Sequence, residues 1–134
     1  MEPGDAKAES DFQLRRIGPP GSCPNVLDVM RIKIGVTSFG RGDGCNFYLD
    51  SKNLKNFISR KHAEIHTVKN EDGELDFVLH HKGLNGTFVN DIKAPPTQLL
   101  AEGDKITFGH KNGYNLKPGQ YASQPNSEFQ YVVC

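Results

Sequence analysis

Three short runs hold the residues with chemistry to offer: Gly40-Arg41, Ser59-Arg60-Lys61-His62 and Leu84-Asn85-Gly86-Thr87. They supply a hydroxyl, guanidinium and ammonium groups and a side-chain amide, a set that suits one anionic ligand group and lacks the parts of a catalytic centre. Ser59 and His62 do not make a nucleophile and base. Residues three apart in extended chain point to opposite faces, and neither a Gly-x-Ser-x-Gly elbow nor a third member is present. His62-x-Glu64-x-His66 has the outline of a metal cluster, but on a strand the two histidines stand about 13 Å apart at ~3.3 Å per residue. That is too far for one zinc with bonds of about 2 Å. No enzymatic activity, cofactor or metal is expected.

Other motif matches are weaker. The run Gly40-Arg41-Gly42-Asp43-Gly44 lacks the Gly-Lys-Ser/Thr ending and following helix of a nucleotide-phosphate loop. Arg41-Gly42-Asp43 spells an adhesion tripeptide and Asn85-Gly86-Thr87 fits a glycosylation acceptor. Both need export, and nothing in the sequence directs it. Asn85-Gly86 reads more simply as a hairpin turn, since Asn-Gly accepts positive φ cheaply.

The elements that must position these groups read as short strands. Apolar and polar residues alternate in Phe12–Arg16, and again from Val29, with Met30, Ile32 and Ile34 on one face and Arg31 and Lys33 on the other. Thr37 to Phe39 is a short strand entering the glycine-rich turn, and Cys45 to Leu49 reads as the next. Asp50 to Asn56 is a polar loop. His62 to Val68 and Leu75 to His80, joined by Asn70-Glu71-Asp72-Gly73, form the clearest hairpin. Short pieces follow at Thr87 to Val89, Ile92-Lys93 and Gln98 to Leu100. Lys105 to Phe108 points Ile106 and Phe108 inward, and Phe129 to Val133 closes the chain. His110 to Glu128 is long for a structureless loop in a compact domain. With no sustained helical periodicity and no internal repeat, the pattern argues an all-β sandwich.

The totals narrow the class. A chain of 134 residues suffices for one domain. Lys plus Arg equals Asp plus Glu at 16 each, so no global field recruits nucleic acid or a membrane, and anion recognition must be local. Cys23, Cys45 and Cys134 cannot all pair within the chain and lack Cys-x-x-Cys spacing, which favours a reducing compartment. The polar start of the chain has no signal-peptide core and no apolar run approaches membrane-spanning length. A soluble intracellular protein, nuclear or alternatively cytoplasmic, is expected. Residues 1–11 carry Pro, Gly and charge without periodicity and are expected to be disordered, leaving 12–134 as the domain.

Taken in order and spacing, Gly40-Arg41, Ser59-x-x-His62 and Asn85-Gly86-Thr87-Phe88-Val89-Asn90 resemble the forkhead-associated (FHA) domain family, from about Phe12 to the last strand. The resemblance implies a β-sandwich of about eleven strands whose loops at one end bind phosphothreonine in an extended peptide of a partner protein. It implies that Arg41, Ser59 and Arg60 meet the phosphate and peptide, that Asn85 holds the peptide backbone, and that Leu84 and Gly86 belong to the same binding loop. Gly40, His62 and Thr87 fall at positions of structural support, His62 bracing the loop that carries Ser59. Leu84 stands where relatives commonly have Ser or Thr, so a side-chain contact is replaced by a backbone amide. Relatives often select the residue three after the phosphothreonine through the position two before the serine, here Phe57. That implies an apolar preference, modified by Lys55 or by the long loop with Tyr114 and Tyr121. The expected protein is a phosphothreonine-dependent interaction module, monomeric in isolation, and the N-terminal domain of a longer regulator in kinase-driven signalling. Cell-cycle and transcription regulators are among the proteins that carry such modules. The alternative is a scaffold or self-association domain that needs no phosphate.

Overall fold

A computed structural model describes residues 9–54 and 57–134. Among the described residues, eleven strands form two sheets: β1 (Glu9–Arg16), β2 (Val29–Lys33), β3 (Gly35–Gly40), β4 (Phe47–Tyr48), β5 (Ala63–Lys69), β6 (Leu75–His81), β7 (Thr87–Val89), β8 (Ile92–Lys93), β9 (Thr97–Leu100), β10 (Lys105–Phe108) and β11 (Gln130–Val133). One sheet has the order β2-β1-β11-β10-β7-β8 and the other β4-β3-β5-β6-β9. Every pairing is antiparallel except β3 with β4. The helical content among the described residues is a single 3-10 turn at Gly113–Asn115.

Period-two alternation builds the interior. Met30 and Ile32 of β2, Ala63 and Ile65 of β5, and Ile106 and Phe108 of β10 are all fully buried between the sheets. An aromatic chain crosses the gap, with Phe39 5.3 Å from Phe108 and Phe108 5.9 Å from Tyr131, spacings at which ring edges and faces attract.

Three sequence expectations are corrected. Ile34 is 45% exposed instead of continuing the inward face, because β2 ends at Lys33 and β3, in the other sheet, begins at Gly35, leaving Ile34 at the corner. The strand expected over Cys45 to Leu49 is only Phe47–Tyr48. Side-chain bonds replace the ladder there: Ser38 donates from N–H and Oγ to Asn46 Oδ1, and Asn46 N–H donates back to Ser38 Oγ. β1 starts at Glu9, which pairs with Lys33, three residues before alternation becomes visible at Phe12.

The long segment after β10 is packed. Phe88, Lys93, Thr107 and Gln130 align across neighbouring strands on the face of the six-stranded sheet turned away from the sandwich interior, yet all four are buried. The segment folds back over them. His110 lies 5.3 Å from the Phe88 ring, Lys93 Nζ donates to the Gly113 and Leu116 carbonyls, both at 2.7 Å, and Gln130 Nε2 donates to the Pro125 and Ser127 carbonyls.

Candidate functional site

At one end of the sandwich the β3–β4, β4–β5 and β6–β7 loops converge. The first two are zipped by backbone bonds: Arg41 N–H donates to the Ser59 carbonyl at 3.1 Å and Gly42 N–H to the Arg60 carbonyl at 2.9 Å. Gly40 permits this approach, since any Cβ there would run into the Arg60 carbonyl. Arg41 Nε donates to the Ile58 carbonyl at 2.9 Å. With Nε engaged, the guanidinium plane is fixed and its two Nη groups have no partner among the described residues. Arg60 is exposed beside it.

Ser59 and Leu84 link the second loop to the third. Leu84 N–H donates to Ser59 Oγ at 3.1 Å. That bond occupies a lone pair and leaves the hydroxyl proton available to an incoming acceptor. The Leu84 side chain is 73% exposed. Asn85 Nδ2 donates to the Phe57 carbonyl at 2.7 Å, which orients the amide, and the Asn85 carbonyl accepts from His110 N–H at 3.0 Å.

His62 ties the loops from below. Ser59 N–H donates to Nδ1 at 3.1 Å, so Nδ1 carries the lone pair and Nε2 the proton, and Nε2–H donates to the Gly86 carbonyl at 2.8 Å. Burial lowers its pKa to about 4, the Gly86 bond opposing and His81 adding to the shift. The His62 carbonyl also accepts from Lys82 N–H and Gly83 N–H, both at 2.9 Å. Gly86, with φ of 77°, turns the chain so that its carbonyl receives both His62 and Gly109 N–H. Thr87 is fully buried at the start of β7, paired with Phe108.

The structure therefore brings Arg41, Ser59, Arg60, Leu84, Asn85 and Gly86 onto converging loops, with Gly40, His62 and Thr87 beneath or behind them. Phe57 is a correction. It is 8% exposed, stacked 6.2 Å from Phe129 and packed against Gly109, so its ring is committed to the core and cannot read a peptide side chain. Lys55 lies outside the described residues. Tyr114 is 60% exposed and follows Gly113, whose backbone packs on Asn85.

Sequence reading did not find Glu128. This buried carboxylate accepts from Ser22 N–H at 3.0 Å and Oγ at 3.1 Å and from Ser51 Oγ at 2.9 Å. Ser51 Oγ in turn accepts from Asn53 N–H and Leu54 N–H. The network shapes the start of the loop that delivers Ser59. Its members lie 77 and 106 residues apart in sequence, so no local pattern signals it.

A two-sheet sandwich presenting fixed donors and cations from three loops at one end defines a ligand-binding β-domain. The FHA domain family model matches residues 37–109, more than half of the chain, and the chain belongs to that family. Over 79 residues it is 37% identical to Germ layers disorganized gldi-3 of Caenorhabditis elegans, covering 58% of this chain and 8% of that protein. Over 83 residues it is 30% identical to transcription factor 19 of Sus scrofa, covering 60% of this chain and 24% of that protein. The chain thus spans less than a quarter of the length of either relative. Among solved structures, the N-terminal FHA domain of Saccharomyces cerevisiae Rad53p, in complex with a phosphothreonine peptide, superposes with a TM-score of 0.60 at 21% identity, covering 91% of this chain and 90% of that one. The MEK1 FHA domain in complex with a HOP1 phosphothreonine peptide gives 0.60 at 19% identity, covering 92% and 95%. Both share the fold.

Proposed function

We propose that this domain binds phosphothreonine-containing segments of partner proteins. Arg41 and Ser59 hold the phosphate, Arg60 adds a second cation and Asn85 positions the peptide backbone. The observation that carries the reading is Arg41. Its Nε is pinned to the Ile58 carbonyl, which presents the free ends of the guanidinium fork on the loop zipped to Ser59, whose hydroxyl proton is unspent. A phosphothreonine carries about −1.5 to −2 charges and three strong acceptor oxygens. Charge-assisted hydrogen bonds contribute about 1.5–3 kcal/mol each, so two or three supply much of the ~8 kcal/mol of a micromolar complex. Likeness to transcription factor 19 supports a nuclear setting.

The test is a titration with a degenerate phosphothreonine peptide library beside its phosphoserine and unphosphorylated counterparts. Micromolar binding confined to phosphothreonine is expected. Arg41→Ala should cost about 2 kcal/mol or more, at least ~30-fold in affinity, and Ser59→Ala a comparable factor, with thermal midpoints little changed. Unchanged affinity in Arg41→Ala overturns the assignment. A phosphate-independent docking reading draws on one observation: Val36, His66, Val78 and Leu99 form one row across the outer face of the five-stranded sheet, and Val36 and Leu99 are 56% and 62% exposed. Partner binding that survives both dephosphorylation and Arg41→Ala would favour it.

A further inference from the structure

A cavity of about 280 Å³ opens between Leu54 of the β4–β5 loop and the two limbs of the β10–β11 segment, His110 to Asn112 going out and Ser123 to Ser127 returning. It adjoins the binding loops through two bonds. His110 N–H donates to the Asn85 carbonyl at 3.0 Å, and Leu54 accepts from Phe57 N–H at 3.2 Å, Phe57 being the residue whose carbonyl holds the Asn85 amide. The opening thus lies one backbone bond from Asn85, the residue assigned above to the peptide backbone.

The walls are cross-tied. His110 Nδ1 accepts from Asn112 N–H at 3.0 Å, leaving the ring proton on Nε2 to donate to the Ser123 carbonyl at 3.1 Å. Lys111 N–H donates to Gln124 Oε1 at 2.9 Å, and Gln124 Nε2 to the Gly109 carbonyl at 3.3 Å. The Lys93 clamp on Gly113 and Leu116 holds the far side of the segment. Such a site is formed before the ligand arrives, which lowers the ordering cost of binding.

Its chemistry selects one class of side chain. Leu54 and Pro125 give apolar wall for a methylene stem. Lys111 brings an ammonium group with no salt-bridge partner among the described residues, and Asn112 and Asn126 bring amide donors. Among the described residues, no carboxylate lines the cavity. The carboxylate of Glu128, next after Ser127, is occupied by Ser22 and Ser51. Resting on the phosphopeptide reading above, we propose that this cavity is a specificity subsite for an acidic side chain of the bound peptide, glutamate before aspartate for its longer stem, with Lys111 as the selecting residue.

The experiment is a positional scan by fluorescence anisotropy on one phosphothreonine peptide, with Glu, Leu, Ala and Lys placed in turn at each position from three before to four after the phosphothreonine. One position should favour Glu over Lys by about tenfold, the effect of one charge-assisted contact. Lys111→Glu should reverse the order at that position and leave the other positions unaltered. Lys69→Glu, the same charge change on the exposed end of β5, should not reverse it. A scan with no acidic preference, a preference for Leu, or a Glu preference that persists in Lys111→Glu overturns the subsite while phosphate dependence stands. Peptides that bind no better phosphorylated than unphosphorylated overturn the parent reading instead.

Discussion

The His62 brace makes the binding end of the domain sensitive to acid, and the size of the effect follows from its hydrogen bonds. Nδ1 must stay unprotonated to accept Ser59 N–H, while Nε2–H serves the Gly86 carbonyl. Burial lowers the folded-state pKa to about 4 from an ordinary value of 6.5. Between those values the unfolded chain binds more protons than the folded one, so stability falls as pH is lowered. The contribution is fully present above about pH 6.5 and lost by about pH 4. At 1.36 kcal/mol per unit the whole effect is about 3 kcal/mol, of which about 2 kcal/mol is gone by pH 5. That is a large share of the 5–15 kcal/mol typical of a domain.

The perturbation to make is His62→Gln, which keeps a donor and an acceptor but has no titrating proton in this range. Urea unfolding of both proteins, without peptide, at pH 7, 6 and 5 gives the two slopes. Subtraction matters because His80 and His81 also have lowered pKa values, from burial first and then from the positive charge of His66 and Lys93 respectively, and they weaken the fold over the same window. Glu64 is held below the usual carboxylate range by its His66 bond, so its contribution goes at lower pH. The wild type should lose about 2 kcal/mol more than His62→Gln between pH 7 and pH 5. Parallel curves would refute the assignment of His62 as a buried, neutral brace.

Two further predictions concern the long β10–β11 segment. Lys93→Met removes the ammonium that donates to both the Gly113 and Leu116 carbonyls, leaving Gly113 with the Leu116 N–H at 3.2 Å, and should cost about 2–3 kcal/mol. Amide exchange at His110, Gly119 and Ala122 should accelerate well beyond that of the β5–β6 hairpin, and uniform acceleration would mean that Lys93 does not clamp this segment in particular. Gly113→Ala places a Cβ against the Asn85 carbonyl. It should shift the amide resonances of Asn85 and His110 and weaken phosphopeptide binding at least about tenfold, while β1 and β2 keep their spectra. Unchanged affinity would show that the segment does not set the position of Asn85.

What the sequence made legible was local. Alternation located β2, β5, β6 and β10 because one face of each meets the interior, and the spacing of Arg41, Ser59, His62 and Asn85 marked the converging loops. Phe57 was misread because a large apolar residue in a loop has no periodicity to tell inward from outward. Its ring meets Phe129 and Gly109, which only the folded chain brings near. Asn90 and Asp91, at φ of 54° and 67°, make the tight β7–β8 turn without the glycine that usually signals one.

The order in His110 to Glu128 has a trace in the sequence that period-two reading passes over. In Thr87-Phe88-Val89 apolar side chains fall on both faces of one strand, and all three residues are buried. A sandwich interior covers one face only. Phe88 on the other face required a cover, and so did Lys93, whose cation could be buried only with carbonyl acceptors to receive it. The one long connection that leaves β10 beside β7 supplies both. Its length therefore answers a demand set by β7 and β8, and the same folding back places His110 and Gly113 against Asn85. Any substitution that frees the cover from Lys93 should thus loosen the cavity beside His110 as well as the sheet beneath it.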